Sequence, residues 1–137
     1  MTLLEHINEK DRFAKVSGMQ LTEIVPGKAT AEMTVREEHL NAADVCQGGA
    51  LYTLADLAIG GMMNASGFVT LSIENTITYH HSAFLGEHLR AVASMIYDHH
   101  KIPYCRAEIF NDDNVLIATL SSMGYRKSAK MEFTDLM

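Results

Sequence analysis

The sequence predicts an α+β domain in which one long central helix is clasped by a curved antiparallel sheet of five or six strands, with a short helix at the N-terminus. The 20-residue segment from Gln47 to Ser66 is rich in Ala, Leu and Met and carries one charged residue, Asp56, so it reads as a helix apolar on nearly all sides. Short β-type runs broken by turn residues lie on both sides of it. The chain has 137 residues, 47% of them apolar and 20% charged, which suits one ordinary globular domain over residues 1–137 and excludes a disordered or collagen-like chain.

Taken in order, Thr2 is placed to cap a first helix, with Glu5 at the capping-box position and Leu3, Leu4 and Ile7 as an apolar patch that braces the body. Gly18–Val25 and Lys28–Val35 read as strands of a hairpin turned at Pro26-Gly27. After the long helix, Val69–His80, His88–Asp98, Ile102–Phe110 and Val115–Arg126 carry β-branched and aromatic residues. They are broken at Leu85-Gly86-Glu87, His99-His100-Lys101 and Asn111-Asp112-Asp113-Asn114. Consecutive strands with short connections imply antiparallel pairing. Gly60-Gly61, Thr53, Asn64 and the mid-length Asp56 argue against the long helix crossing a membrane, so it is expected inside protein.

With 11 Lys and Arg against 17 Asp and Glu, the net charge is −6 and no basic run exists to meet a phosphate backbone, so nucleic acid is not the expected partner. Cys46 and Cys105 lack metal-type spacing, and the start MTLLEHINEKDRF lacks the pattern of a signal peptide, so a cytoplasmic protein is expected.

Asp56 is the leading candidate for chemistry, because a carboxylate in an apolar helix costs stability unless it is paired or used; the alternative is a solvated rim residue. Gln47-Gly48-Gly49 opens the same helix. Free N–H groups at a helix N-terminus, on residues without side chains, let a carbonyl oxygen approach and stabilise the charge it develops in acyl transfer. A tight loop-to-helix entry would also use two glycines.

The stretches HLNAADVCQGGALYTLADLAIGGMMN and TLSIENTITYHHSAFLGEHL resemble the hot-dog-fold acyl-CoA thioesterases of the phenylacetate-degradation, PaaI-like branch, whose pattern runs Asn, then His-Gly-Gly, then Leu-Ala-Asp on the helix. The likeness spans about residues 18–126. It implies that Asp56 is nucleophile or general base, that the Gly48 amide, beside Gly49, polarises the thioester carbonyl, that Asn41 takes the place of the family Asn among the substrate-binding residues, and that Ser72 helps place the attacking water or the carboxylate. The family His is replaced by Gln47, which hydrogen-bonds but does not titrate. The resemblance also implies a homodimer, paired further into a tetramer, and an acyl-CoA substrate with no cofactor beyond the coenzyme A it carries.

Gly48 and Asp56 are eight residues apart, about 12 Å along a helix axis, whereas one reacting carbonyl needs both within hydrogen-bond reach. Two antiparallel helices across a two-fold axis would bring Gly48 of one subunit to Asp56 of the other. Burial would raise the Asp56 pKa and hydrogen bonds from Asn41 or Ser72 would lower it.

His80-His81 and His99-His100 read as surface or turn residues and no metal is expected. Cys46 reads as a small buried residue, Met62, Met63, Met95 and Met123 as core or acyl-pocket lining, and Lys101, Arg126 and Lys127 as surface charges or contacts to coenzyme A phosphates. Two other functions compete: a dehydratase of the same fold, which the chain resembles less because the catalytic His is absent from the corresponding loop, and non-catalytic acyl-CoA binding, which has no need of Asp56 aimed at a thioester.

Overall fold

A computed structural model describes all 137 residues. The first helix, α1 (Leu3–Lys10), is capped as its sequence dictates: Thr2 Oγ1 accepts from the Glu5 N–H and Glu5 Oε2 from the Thr2 N–H, both at 3.1 Å. Leu3 is fully buried, and the Leu3 and Leu4 amides donate to Asp135 and Leu136 of the C-terminal tail. Asn8 holds both backbone groups of Leu21, at 2.9 and 2.8 Å. These bonds fix α1 as a brace. A second short helix, α2 (Arg12–Val16), is not expected from the sequence; Asp11 initiates it by accepting from the Ala14 N–H at 3.1 Å.

The hairpin is β1 (Gln20–Val25) and β2 (Lys28–Thr34), with Gly27 at φ +77° in the turn, a conformation that glycine adopts without strain. The central helix, α3 (Gly48–Asn64), starts just inside the expected boundary because Gln47 is its N-cap. Then come β3 (Phe68–Tyr79), β4 (His88–Tyr97), β5 (Tyr104–Asn111) and β6 (Leu116–Lys130), the last running four residues beyond its expected end to pair Lys130 with Phe68. The resulting sheet has six strands, all antiparallel, in the order β1-β2-β4-β5-β6-β3.

Chain order and spatial order therefore part company at β3, which pairs with β6 and not with β4. The reason is α3. A 17-residue helix is about 25 Å long, enough to carry the chain across four interstrand spacings of about 4.8 Å each. It packs on all six strands as it crosses. Leu51, Leu54, Ala55, Leu57, Ala58, Ile59, Met62 and Met63 are buried in one core with the inward residues of the sheet.

The helix is not enclosed on all sides, as its composition suggested. Gly49, Tyr52, Thr53, Asp56 and Gly60, three or four apart and so aligned on one stripe, are left unburied on the side the sheet does not cover. Gly61, by contrast, faces β1: a Cβ there would lie 3.0 Å from Leu21 Cδ2. No helix is long and apolar enough to cross a membrane.

Candidate active site

Four backbone N–H groups open α3, and three are satisfied locally. Gln47, extended at φ −63° and ψ 139°, turns its side chain back so that Oε1 accepts from the Gly49 N–H at 3.0 Å, and its carbonyl accepts from Ala50 and Leu51 at 2.9 and 3.4 Å. The Gly48 N–H has no acceptor in the chain and sits at the positive end of the helix dipole. Gln47 thus acts as a cap, through its oxygen. A Cβ on Gly49 would collide with Gln47 Oε1 at 2.5 Å, and one on Gly48 with the Tyr79 ring and hydroxyl at 2.7 Å. Tyr79 is anchored there by donating to the Gly48 carbonyl at 3.0 Å. A side chain at either position would therefore displace the end of the neighbouring Gln47 or Tyr79 side chain.

Asp56 lies two turns further along the same stripe. Ser72 Oγ donates to its Oδ1 at 3.4 Å and Asn75 Nδ2 donates to the same atom at 3.3 Å. Oδ2 has no partner in the chain and is not fully enclosed. Burial pushes the Asp56 pKa up, while the bonds from Asn75 and Ser72 pull it down and the negative charge of Asp11 adds to the rise; burial wins.

Residues 72 and 75 of a regular strand face opposite sides of the sheet. Here a β-bulge between Ser72 and Glu74 adds one residue on β3 opposite β6, so the pairs Ser72 with Gly124 and Asn75 with Ser122 leave both side chains on the Asp56 side. Strand parity conceals Asn75 in the sequence, where Asn41 is the amide expected to bond Asp56. Asn41 instead organises its own loop: its Oδ1 accepts from the Ala43 and Val45 N–H groups at 2.9 and 3.3 Å. It lines the cavity that Gly48 lines, about 360 Å³, with Tyr79, His80 and His81.

Asp56 opens into a different cavity, about 330 Å³, walled by Ile7, Leu57, Met63, Leu71 and Met131 and rimmed by His6, Lys10 and Asp11. One chain therefore does not bring Gly48 and Asp56 to a common space.

Other candidates are accounted for locally. Cys46 and Cys105 are buried, which pushes their thiols up to about 11 and about 12. Met62 and Met63 belong to the core, and Met63 also reaches the Asp56 cavity. Arg126 donates to Asp98 at 2.9 Å and the Lys101 ammonium lies 5.5 Å from the centre of the Tyr125 ring, whereas Lys127 is exposed without such a partner. His80 meets Thr119 Oγ1 at 3.0 Å, and no three His, Cys, Asp or Glu side chains converge as a metal site. His39, unnoticed in the sequence, is buried; it accepts from the Arg36 N–H and bonds the Ser17 carbonyl, locking the loop before α3.

The thioesterase superfamily profile matches residues 44–118, more than half of the chain and all of the segment from Gly48 to Ser72. The chain belongs to the thioesterase superfamily. A putative esterase of Archaeoglobus fulgidus is 37% identical over 122 residues, covering 89% of this chain and 79% of that one. The acyl-coenzyme A thioesterase PaaI of Escherichia coli is 29% identical over 118 residues, covering 86% and 84%. The solved structure of E. coli PaaI superimposes with a TM-score of 0.89 at 26% identity and 93% coverage of each chain. The fold is the hot-dog fold, of the PaaI-like kind, and this thioesterase is a thioester hydrolase.

Proposed function

We propose that this thioesterase hydrolyses small aryl- or short- to medium-chain acyl-CoA, using Asp56 of one subunit and the Gly48 N–H of another. Acyl-CoA as the substrate class follows from the thioesterase relatives. The residue roles rest chiefly on one observation: both hydrogen bonds to the Asp56 carboxylate fall on Oδ1, leaving Oδ2 free for chemistry. Oδ2 attacks the thioester carbon directly, or removes a proton from a water whose oxygen attacks it. The carbonyl oxygen takes up negative charge against the Gly48 N–H, the C–S bond breaks, and coenzyme A leaves as thiolate; on the direct route water then hydrolyses the acyl-Asp56 anhydride, releasing the acid and restoring the carboxylate.

The separate cavities of Gly48 and Asp56 support a site completed by a second chain. So does β3, a 12-residue edge strand with Leu71, Ile73 and Tyr79 half exposed, since a long apolar edge invites pairing. A homodimer, with tetramers built from it, is the proposed assembly, with no cofactor required. The cavity at Asp56, which has five apolar side chains in its wall and lies near the lower end of the usual size range for ligand pockets, supports a small to medium acyl group.

Thiol release measured across aryl-, short- and medium-chain acyl-CoAs tests this reading. Asp56→Ala is expected to lower kcat by about 10²- to 10⁴-fold while acyl-CoA still binds within a few-fold of wild type by calorimetry. Near-wild-type turnover in a folded Asp56→Ala chain would overturn the assignment.

A further inference from the structure

Asn75 makes two contacts with one amide nitrogen: Nδ2 donates to Asp56 Oδ1 at 3.3 Å and to the Tyr52 hydroxyl at 2.8 Å. Its Oδ1 is buried and has no partner. The orientation is forced by charge. Turned over, the amide would set its oxygen against the ionised carboxylate, which offers only acceptors. A fold gains nothing from an orphaned buried carbonyl, and side-chain networks that tolerate one are found where position matters more than stability. Tyr52 is one turn from Asp56 and one turn from Gly48 on α3, so its hydroxyl ties the β3 side chain to the stripe that carries both proposed catalytic groups.

We infer that Asn75 is a positioning residue for thioester hydrolysis: anchored by Tyr52, it holds Asp56 by Oδ1 and so aims Oδ2 at the thioester. The inference deepens the proposed reaction and rests on Asp56 being its catalytic carboxylate. Ser72 holds the same oxygen but is itself held only by Ser122 Oγ at 3.3 Å, whereas Asn75 is tied to the helix. Two roles follow for the one amide. It fixes the carboxylate rotamer, and it stabilises the ionised form.

The test is the pH dependence of kcat in Asn75→Leu and Tyr52→Phe, with Asp56→Asn alongside. His6, Lys10 and Asp11 from the α1 end and Glu74 from β3 face the Asp56 cavities and stay in place in every variant. Asn75→Leu is expected to lower kcat roughly 10- to 100-fold, with KM within about twofold, and to move the acid limb to higher pH because a donor to the carboxylate is lost. Tyr52→Phe, which touches Asn75 and makes no hydrogen bond to Asp56, shifts the limb the same way by less. An unmoved limb with near-normal kcat in folded Asn75→Leu overturns the inference. If that variant does not fold, Tyr52→Phe decides: a shifted limb supports it and an unmoved one overturns it. Asp56→Asn separates the two claims, because its retaining turnover sinks the catalytic assignment of Asp56, whereas its inactivity beside a normal Asn75→Leu sinks the positioning role alone.

Discussion

Burial sets the working range of Asp56. Its pKa lies above the ordinary aspartate value of about 3.9, because desolvation outweighs the bonds from Asn75 and Ser72. The folded chain therefore holds the proton more tightly than the unfolded chain. The stabilisation linked to that proton is fully present below the unfolded pKa and is lost as pH rises through the folded one, so at neutral pH the ionised Asp56 is a burden on the fold. Turnover has the opposite need, since only the ionised carboxylate works in the proposed reaction. Asp56→Asn is accordingly expected to abolish hydrolysis and to raise the melting temperature at pH 7, by on the order of 4 °C per kcal/mol relieved. At pH 3 the gain should vanish. Thermal unfolding at the two pH values checks this.

At the scale of elements, α1 does more than end the chain neatly. Its capping box and the two Asn8 bonds to Leu21 hold it over the cavity that Asp56 lines, to which it contributes His6, Ile7 and Lys10. Thr2→Ala removes the cap and is expected to cost about 1 kcal/mol, read by urea unfolding, with KM for acyl-CoA rising more than kcat falls as the wall loosens. The cap was legible in the sequence because Thr2 and Glu5 are three residues apart and their bonding is local. The bulge in β3 was not. Nothing in Ser72-Ile73-Glu74-Asn75 distinguishes a regular strand from a bulged one, and the extra residue exists only relative to β6. That one residue decides whether Asn75 or a neighbour faces Asp56.

For the whole molecule, the proposed unit is two chains. Subunits carrying Asp56→Ala can be mixed by co-expression with subunits carrying Gly48→Pro. Proline at the first helical position deletes the N–H and suits the extended Gln47 before it. Tyr79→Ala is added to the second subunit to make room, since a Cβ at residue 48 meets the Tyr79 ring. Each homodimer is expected to be inactive. Heterodimers carry one intact site of two, with the native Tyr79 beside its Gly48, so random mixing should restore roughly a quarter of wild-type activity. No recovery, with heterodimers present by mass, would mean that Gly48 and Asp56 do not meet across an interface.

What the sequence determined by itself was whatever depends on near neighbours along the chain: the capped first helix, the Pro26-Gly27 turn, six elements of β pattern, the apolar central helix with one carboxylate, and the glycine pair that opens it. Tertiary structure decided everything that depends on parity and pairing between distant strands. It sent β3 to the far edge, set Asn75 beside Asp56, turned Asn41 back on its own loop, and made Gln47 a cap whose oxygen occupies the Gly49 amide and leaves the Gly48 amide free. Local propensity is written in spacing along one segment, whereas register is fixed only when two segments bury a shared face, and the Asp56 site stands on such a register.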